Sequence, residues 1–169
     1  YVNLGSVYDD LKQPDKSIST YDEGIKKFPD FYLLHFNKAV TLLFNNQTAK
    51  AKGSLEASVL LNPMHAGSYY LLAMILATEN KVPAIMAASM VCILDSNTKR
   101  SVKAAALIDS LLLQQNLQHD SITNNITIFL PADAGKKKDN DFSFVELGLS
   151  MMEITDLNDS LKLNTHEKK

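Results

Sequence analysis

The chain has a single cysteine, Cys92, and no tryptophan. One cysteine excludes an internal disulfide framework and leaves the redox compartment open. No apolar run approaches the roughly 18 residues that a membrane-spanning helix needs, so no span is expected. Charge of one sign is also lacking: 17 Lys and Arg face 19 Asp and Glu, for a net charge of −2. That balance gives no basic stripe with which to hold nucleic acid. Motifs of catalysis are missing as well, with no Gly-rich phosphate loop, GxSxG elbow or HExxH. The four histidines (His35, His65, His119, His166) never pair at the spacing that metal ligands favour on a helix. Each reads as a surface or half-buried residue. The expectation is a non-enzyme with no cofactor and no metal.

What is present is a repeat in a globular composition, 46% hydrophobic and 21% charged. Tyr32 to Pro63 reads YLLHFNKAVTLLFNNQTAKAKGSLEASVLLNP: an apolar-periodic run, a polar break at Asn45-Asn46-Gln47, a second run, then proline. Pro29 closes the preceding unit as Pro63 closes this one, and a similar pair of runs follows at the same interval. Helical periodicity, with Pro14 and Pro83 tolerated in first turns, predicts helices over 2–11, 15–27, 31–44, 48–60, 66–78, 82–94 and 99–116. Small residues recur where two helices of a pair would cross: Gly5, Ala39 and Ala73 on the first helix, Ser17 and Ala51 on the second. Leu4, Tyr8, Tyr21, Leu42, Leu72 and Leu76 would fill the space around the crossings. In the third unit the frame puts Ile85 in the small slot, which predicts wider packing there, and puts Ser89 and Cys92 at the next two packing positions. Cys92 is thereby expected to be an inert buried thiol.

A period of about 34 with two helices per period, Leu4-Gly5, Tyr8, Tyr21, Gly24 and Pro29 at the matching places, resembles the tetratricopeptide repeat (TPR) family. The resemblance covers residues 1–97. It implies an all-α fold, a right-handed α-α superhelix of about three TPR helical hairpins. The helix expected at 99–116 departs from the pattern and reads as a capping helix. The expected organisation is therefore a solenoid with its cap over 1–116, an extended segment and mobile loop over 117–141, and a C-terminal helix over 142–169. In the middle segment 118–121 reads as loop and 122–130 as strand-like without an obvious partner. Tyr1 falls at the fourth position of a repeat helix, and the sequence is expected to be an internal piece of a longer protein. It carries no address from which a cellular compartment could be named.

The resemblance also implies a site. In TPR proteins the first helices of successive units line a concave groove, and the corresponding positions here hold Val2, Ser6, Asp9 and Asp10, then an apolar floor. Leu33, Phe36, Val40, Leu43, Phe44, Tyr70 and Met74 are the expected protein-binding residues, with Gly67, Ala77 and Thr78 beside them. No lysine or arginine stands at the groove positions of these three units, so a charge-assisted grip on a C-terminal carboxylate is not expected. The implied function is a protein–protein interaction scaffold that binds a peptide or helix of another protein. The alternatives are a structural spacer whose groove is filled by its own C-terminal segment, or the docking domain of a larger enzyme.

Overall fold

The computed structural model describes residues 1–112, 117–120, 125–128 and 145. The paired apolar runs become paired antiparallel helices: α1 (Val2–Asp10) with α2 (Pro14–Lys27), α3 (Tyr32–Phe44) with α4 (Thr48–Leu61), and α5 (Ala66–Leu76) with α6 (Lys81–Leu94). A seventh helix, α7 (Lys99–Leu112), follows. The chain divides into two compact units, residues 1–108 and 109–169. The first is all-α.

Local chemistry sets the helix ends. Pro14 opens α2, where its missing N–H costs nothing. The Asn80 side chain accepts from the Val82 N–H at 3.2 Å and caps α6. Before α7, Thr98 Oγ1 accepts from the Ser101 N–H and Ser101 Oγ accepts from the Thr98 N–H, a reciprocal box. In the first two hairpins the first helix ends with a left-handed residue, Lys12 or Asn46, each at φ 57°. Gln13 N–H then reaches back to Tyr8 O at 2.9 Å, and Gln47 N–H to Leu42 O at 2.9 Å. Both are Schellman closures.

The small-residue crossings are present in the first two hairpins. Gly5, Ser17, Ala39 and Ala51 are buried, with Tyr21, Leu42 and Leu55 packed around them. Leu4 is the exception at 49% exposure, on the outer side of α1.

The third hairpin corrects the expected frame. Ala51, Leu55 and Ser58 are matched by buried Ala84, Ala88 and Val91, each one position earlier than the expected Ile85, Ser89 and Cys92. The physical reason lies in the turn. α5 closes on i→i−3 bonds (Thr78 N–H to Ile75 O, Glu79 N–H to Leu76 O) with no left-handed residue. It ends early, so the step from the Ala73 crossing to the Ala84 crossing is one residue shorter than that from Ala39 to Ala51, although the connection 77–80 itself is longer than 45–47. Ala77 and Thr78 consequently lie past the end of α5. With alanine in the slot, the third hairpin packs as densely as the second and the expected widening is absent. Cys92 is half-buried, its Sγ 3.7 Å from the Ser101 carbonyl oxygen.

The shortened step carries into α7. Ser101 is buried like Ser68, and Lys99 opens α7 at the place where Ala66 opens α5. Ala104 packs with Ala73, Ala87, Ala88 and Val91. α7 thus has the register of a first helix. Ala106, at the position of Ala39 and Ala73, is exposed, because no second helix crosses it among the described residues.

In the second unit the expected loop at 118–121 is corrected. Leu117–Asp120 (β1) pairs antiparallel with Asn125–Ile128 (β2), Leu117 opposite Ile128 and Asp120 opposite Asn125. The strand-like run does have a partner, its own upstream neighbour, too polar at Gln118 to Asp120 to read as a strand. The expected mobile loop at 132–141 and helix over 142–169 lie outside the described residues, Val145 apart.

Candidate functional site

First helices of successive hairpins lie side by side because each second helix packs between its own first helix and the next: α2 touches α1 and α3, and α4 touches α3 and α5. Side chains turned away from the second helices are left on a shared face. Of the seven expected binding residues, Phe44 and Met74 are the most exposed, at 85% and 50%. Leu33, Phe36, Val40, Leu43 and Tyr70 are half-buried. Phe36 and Leu43 also pack against the Ala39–Leu42–Leu55 core, and Tyr70 against the Ala73–Val91 core. Those three serve the fold as well as the surface.

The C-terminal end of α1 forms a cleft lined by Asp9, Asp10, Lys12, Thr41, Phe44 and Asn45. Asp9 is fixed there. Its Oδ2 accepts from Thr41 Oγ1 at 2.8 Å and from the Tyr21 hydroxyl at 3.3 Å. Burial raises the Tyr21 pKa above its ordinary value, with the Asp9 carboxylate adding to the shift, so the phenol stays a donor. Asp10 is exposed.

At the N-terminal end of the same face, His65 packs against Phe36 (ring centroids 4.7 Å, edge-on) and Tyr32 (5.0 Å). His65 Nδ1 lies 2.8 Å from Ser68 Oγ, which is itself 2.8 Å from Ser58 Oγ. Desolvation lowers the His65 pKa, and the Arg100 guanidinium lowers it further. Gly67 is buried because His65 and Arg100 cover it. A Cβ there would stand 3.0 Å from His65 Cε1 and 3.2 Å from an Arg100 terminal nitrogen. Arg100 Nε lies 3.3 Å from Asp95 Oδ2, an ionic contact without hydrogen-bond alignment.

The fixed-period frame stopped at Asn97 and so missed Arg100 and Lys103. With the shortened step, Arg100 takes the groove position of Gly67 and Lys103 that of Tyr70. A readable hint existed: moving the frame by one replaces Ile85 with Ala84 in the small slot. No group of three or more His, Cys, Asp or Glu that could hold a metal occurs among the described residues. None of their helices is long and apolar enough to cross a membrane.

Residues 1–30 match the model of the tetratricopeptide repeat. No curated protein matches the chain by sequence. Among solved structures, the chain is similar to the first TPR of Spaghetti (RPAP3) bound to the HSP90 peptide SRMEEVD, at 20% identity and a TM-score of 0.59, over 64% of this chain and 88% of that one. It is similar to the second TPR domain of human RPAP3 in complex with the HSP70 peptide SGPTIEEVD, at 16% identity and a TM-score of 0.57, over 64% and 89%. A tetratricopeptide repeat protein from Parabacteroides merdae aligns at 15% identity and a TM-score of 0.60, over 65% of this chain and 43% of that one.

Proposed function

Since the chain is a tetratricopeptide repeat protein, we propose that it is a non-catalytic interaction scaffold that holds a peptide or helix of another protein on the face of its first helices. The observation that carries this reading is the exposure of Phe44 and Met74 beside Phe36, Val40 and Tyr70 on that face. Aromatic and methionine side chains give large, adaptable contact area, and a row of them suits an apolar segment laid across parallel helices. Neighbours of the same fold hold short peptides of HSP90 and HSP70, which supports peptide capture as the mode.

The test uses a displayed library of 12-residue peptides. The wild type is expected to select peptides with apolar residues. Phe44→Asp/Met74→Asp, both at exposed positions, is expected to keep its helicity and melting temperature yet bind the selected peptides at least about tenfold more weakly, since losing two apolar anchors removes on the order of 1.5–3 kcal/mol each. Unchanged binding would overturn the reading. Unfolding of the double variant would show that the strip is internal packing, which favours a structural spacer.

A further inference from the structure

Charges on the first-helix face are sorted to opposite ends, and neither set stabilises the helix that bears it. Asp9 and Asp10 stand in the last turn of α1, where the helix dipole is already negative. Lys99 and Arg100 stand in the first turn of α7, where it is positive, with Lys103 one turn on. Neither helix carries the charge its end would favour: α1 has no base in its last turn and α7 no acid in its first. Local rules broken in this way point to a use outside the helix.

Thr41 and Tyr21 aim the Asp9 carboxylate into the cleft beside Phe44, whose exposed ring adds a negative π-face for a cation. Across the apolar floor, Arg100 lies over Gly67 and beside His65, whose ring continues the floor through Phe36 and Tyr32. Lys12 at one end and Asp95 at the other each offset part of the local charge. Asp10 and Lys103 are exposed, and neither forms an ion pair among the described residues.

We infer that the face is an oriented docking groove for an extended segment of another protein that carries a basic residue at one end, an apolar middle, and an acidic residue at the other. The basic residue sits against Asp9, Asp10 and Phe44, and the acidic one against Arg100 and Lys103. Crossing from α1 to α7 takes three helix spacings of about 8–10 Å each. At about 3.3 Å per residue, the segment is roughly eight residues long. The inference rests on the scaffold reading above and adds the charge order of the partner.

Three capped 12-residue peptides test it, each N-acetylated and C-amidated so that no terminal charge contributes. All share a central Leu-Phe-Met-Leu; one has two lysines at one end and two aspartates at the other, one has aspartates at both ends, and one lysines at both. Binding is measured by fluorescence anisotropy at low salt. The mixed peptide is expected to bind the wild type about threefold to tenfold more tightly than the others, the scale of a few exposed ion pairs, with the preference collapsing in 0.5 M salt. Arg100→Glu/Lys103→Glu makes both ends acidic and should put the all-lysine peptide first. Asp10→Lys makes both ends basic and should put the all-aspartate peptide first. An order that is the same in the wild type and both variants overturns the inference. Equal binding of all three, lost in Phe44→Asp/Met74→Asp, leaves the scaffold reading standing and removes the charge order. Binding of none removes both.

Discussion

Gly5 and Gly53 are both helix-interior glycines, and the space around them gives opposite expectations. A Cβ at Gly5 would lie 2.3 Å from Tyr21 Cε1 and 2.4 Å from Cζ, and that ring is fully buried and tied to Asp9. Overpacking of about 1–3 kcal/mol outweighs the roughly 1 kcal/mol of helix propensity that alanine adds. Gly5→Ala should lower the melting temperature. Gly53 has nothing within 4 Å of such a Cβ, so Gly53→Ala should gain about 0.5–1 kcal/mol and raise it by a few degrees. His65 gives a pH dependence. Its folded pKa lies below the ordinary imidazole value, through burial first and Arg100 second, while Asp95, facing Arg100, tempers that cation. The unfolded state then binds more protons in the window from about 6.5 downward to the folded pKa. Stability is full above that window and falls as pH drops through it. A His65→Phe variant should show a shallower loss in denaturant melts over pH 7 to 5; an identical slope would rule out His65 as the cause.

At the scale of the element, the turns decide the register. Lys12 and Asn46 do the same conformational work at φ 57°, but a lysine in the left-handed region costs about 1–2 kcal/mol where asparagine tolerates it. Lys12→Gly is therefore expected to stabilise the first hairpin by roughly 0.5–1 kcal/mol, and Asn46→Gly by less, in matched thermal melts. Equal gains would mean that the lysine strain is absorbed elsewhere. The third turn does without a left-handed residue, and the step across it from Ala73 to Ala84 is one residue shorter than that from Ala39 to Ala51, so α6 and α7 sit one position earlier than a fixed period would place them. A fixed period read along the chain cannot register such a step unless the slot residues are compared, and Ala84 beside Ile85 was the only mark of it.

For the first unit as a whole, one side of α1 presents an apolar stripe. Leu4, Val7 and Leu11 are 49%, 50% and 59% exposed, at helical spacing. Leu4→Lys/Leu11→Lys should change stability by no more than about 0.5 kcal/mol and reduce concentration-dependent self-association in sedimentation runs. A large destabilisation would show that these side chains are packed, contrary to their exposure.

The seven helices of the described residues and their pairing were legible in the sequence, because apolar spacing, Pro14, Pro83 and the small residues Gly5, Ser17, Ala39, Ala51 and Ala73 are local and periodic signals. The sequence also named the apolar residues of the first-helix face, since those follow from the register of α3 and α5. The length of the α5–α6 connection, the strand at 117–120 and the double duty of Phe36, Leu43 and Tyr70 were decided only by tertiary structure. A turn's closure depends on which carbonyl its N–H groups reach, and a polar strand forms only against a partner. The same holds for Arg100, which takes its place at the face because a repeat step shortened by one residue carries α7 there and Gly67 leaves room for the guanidinium.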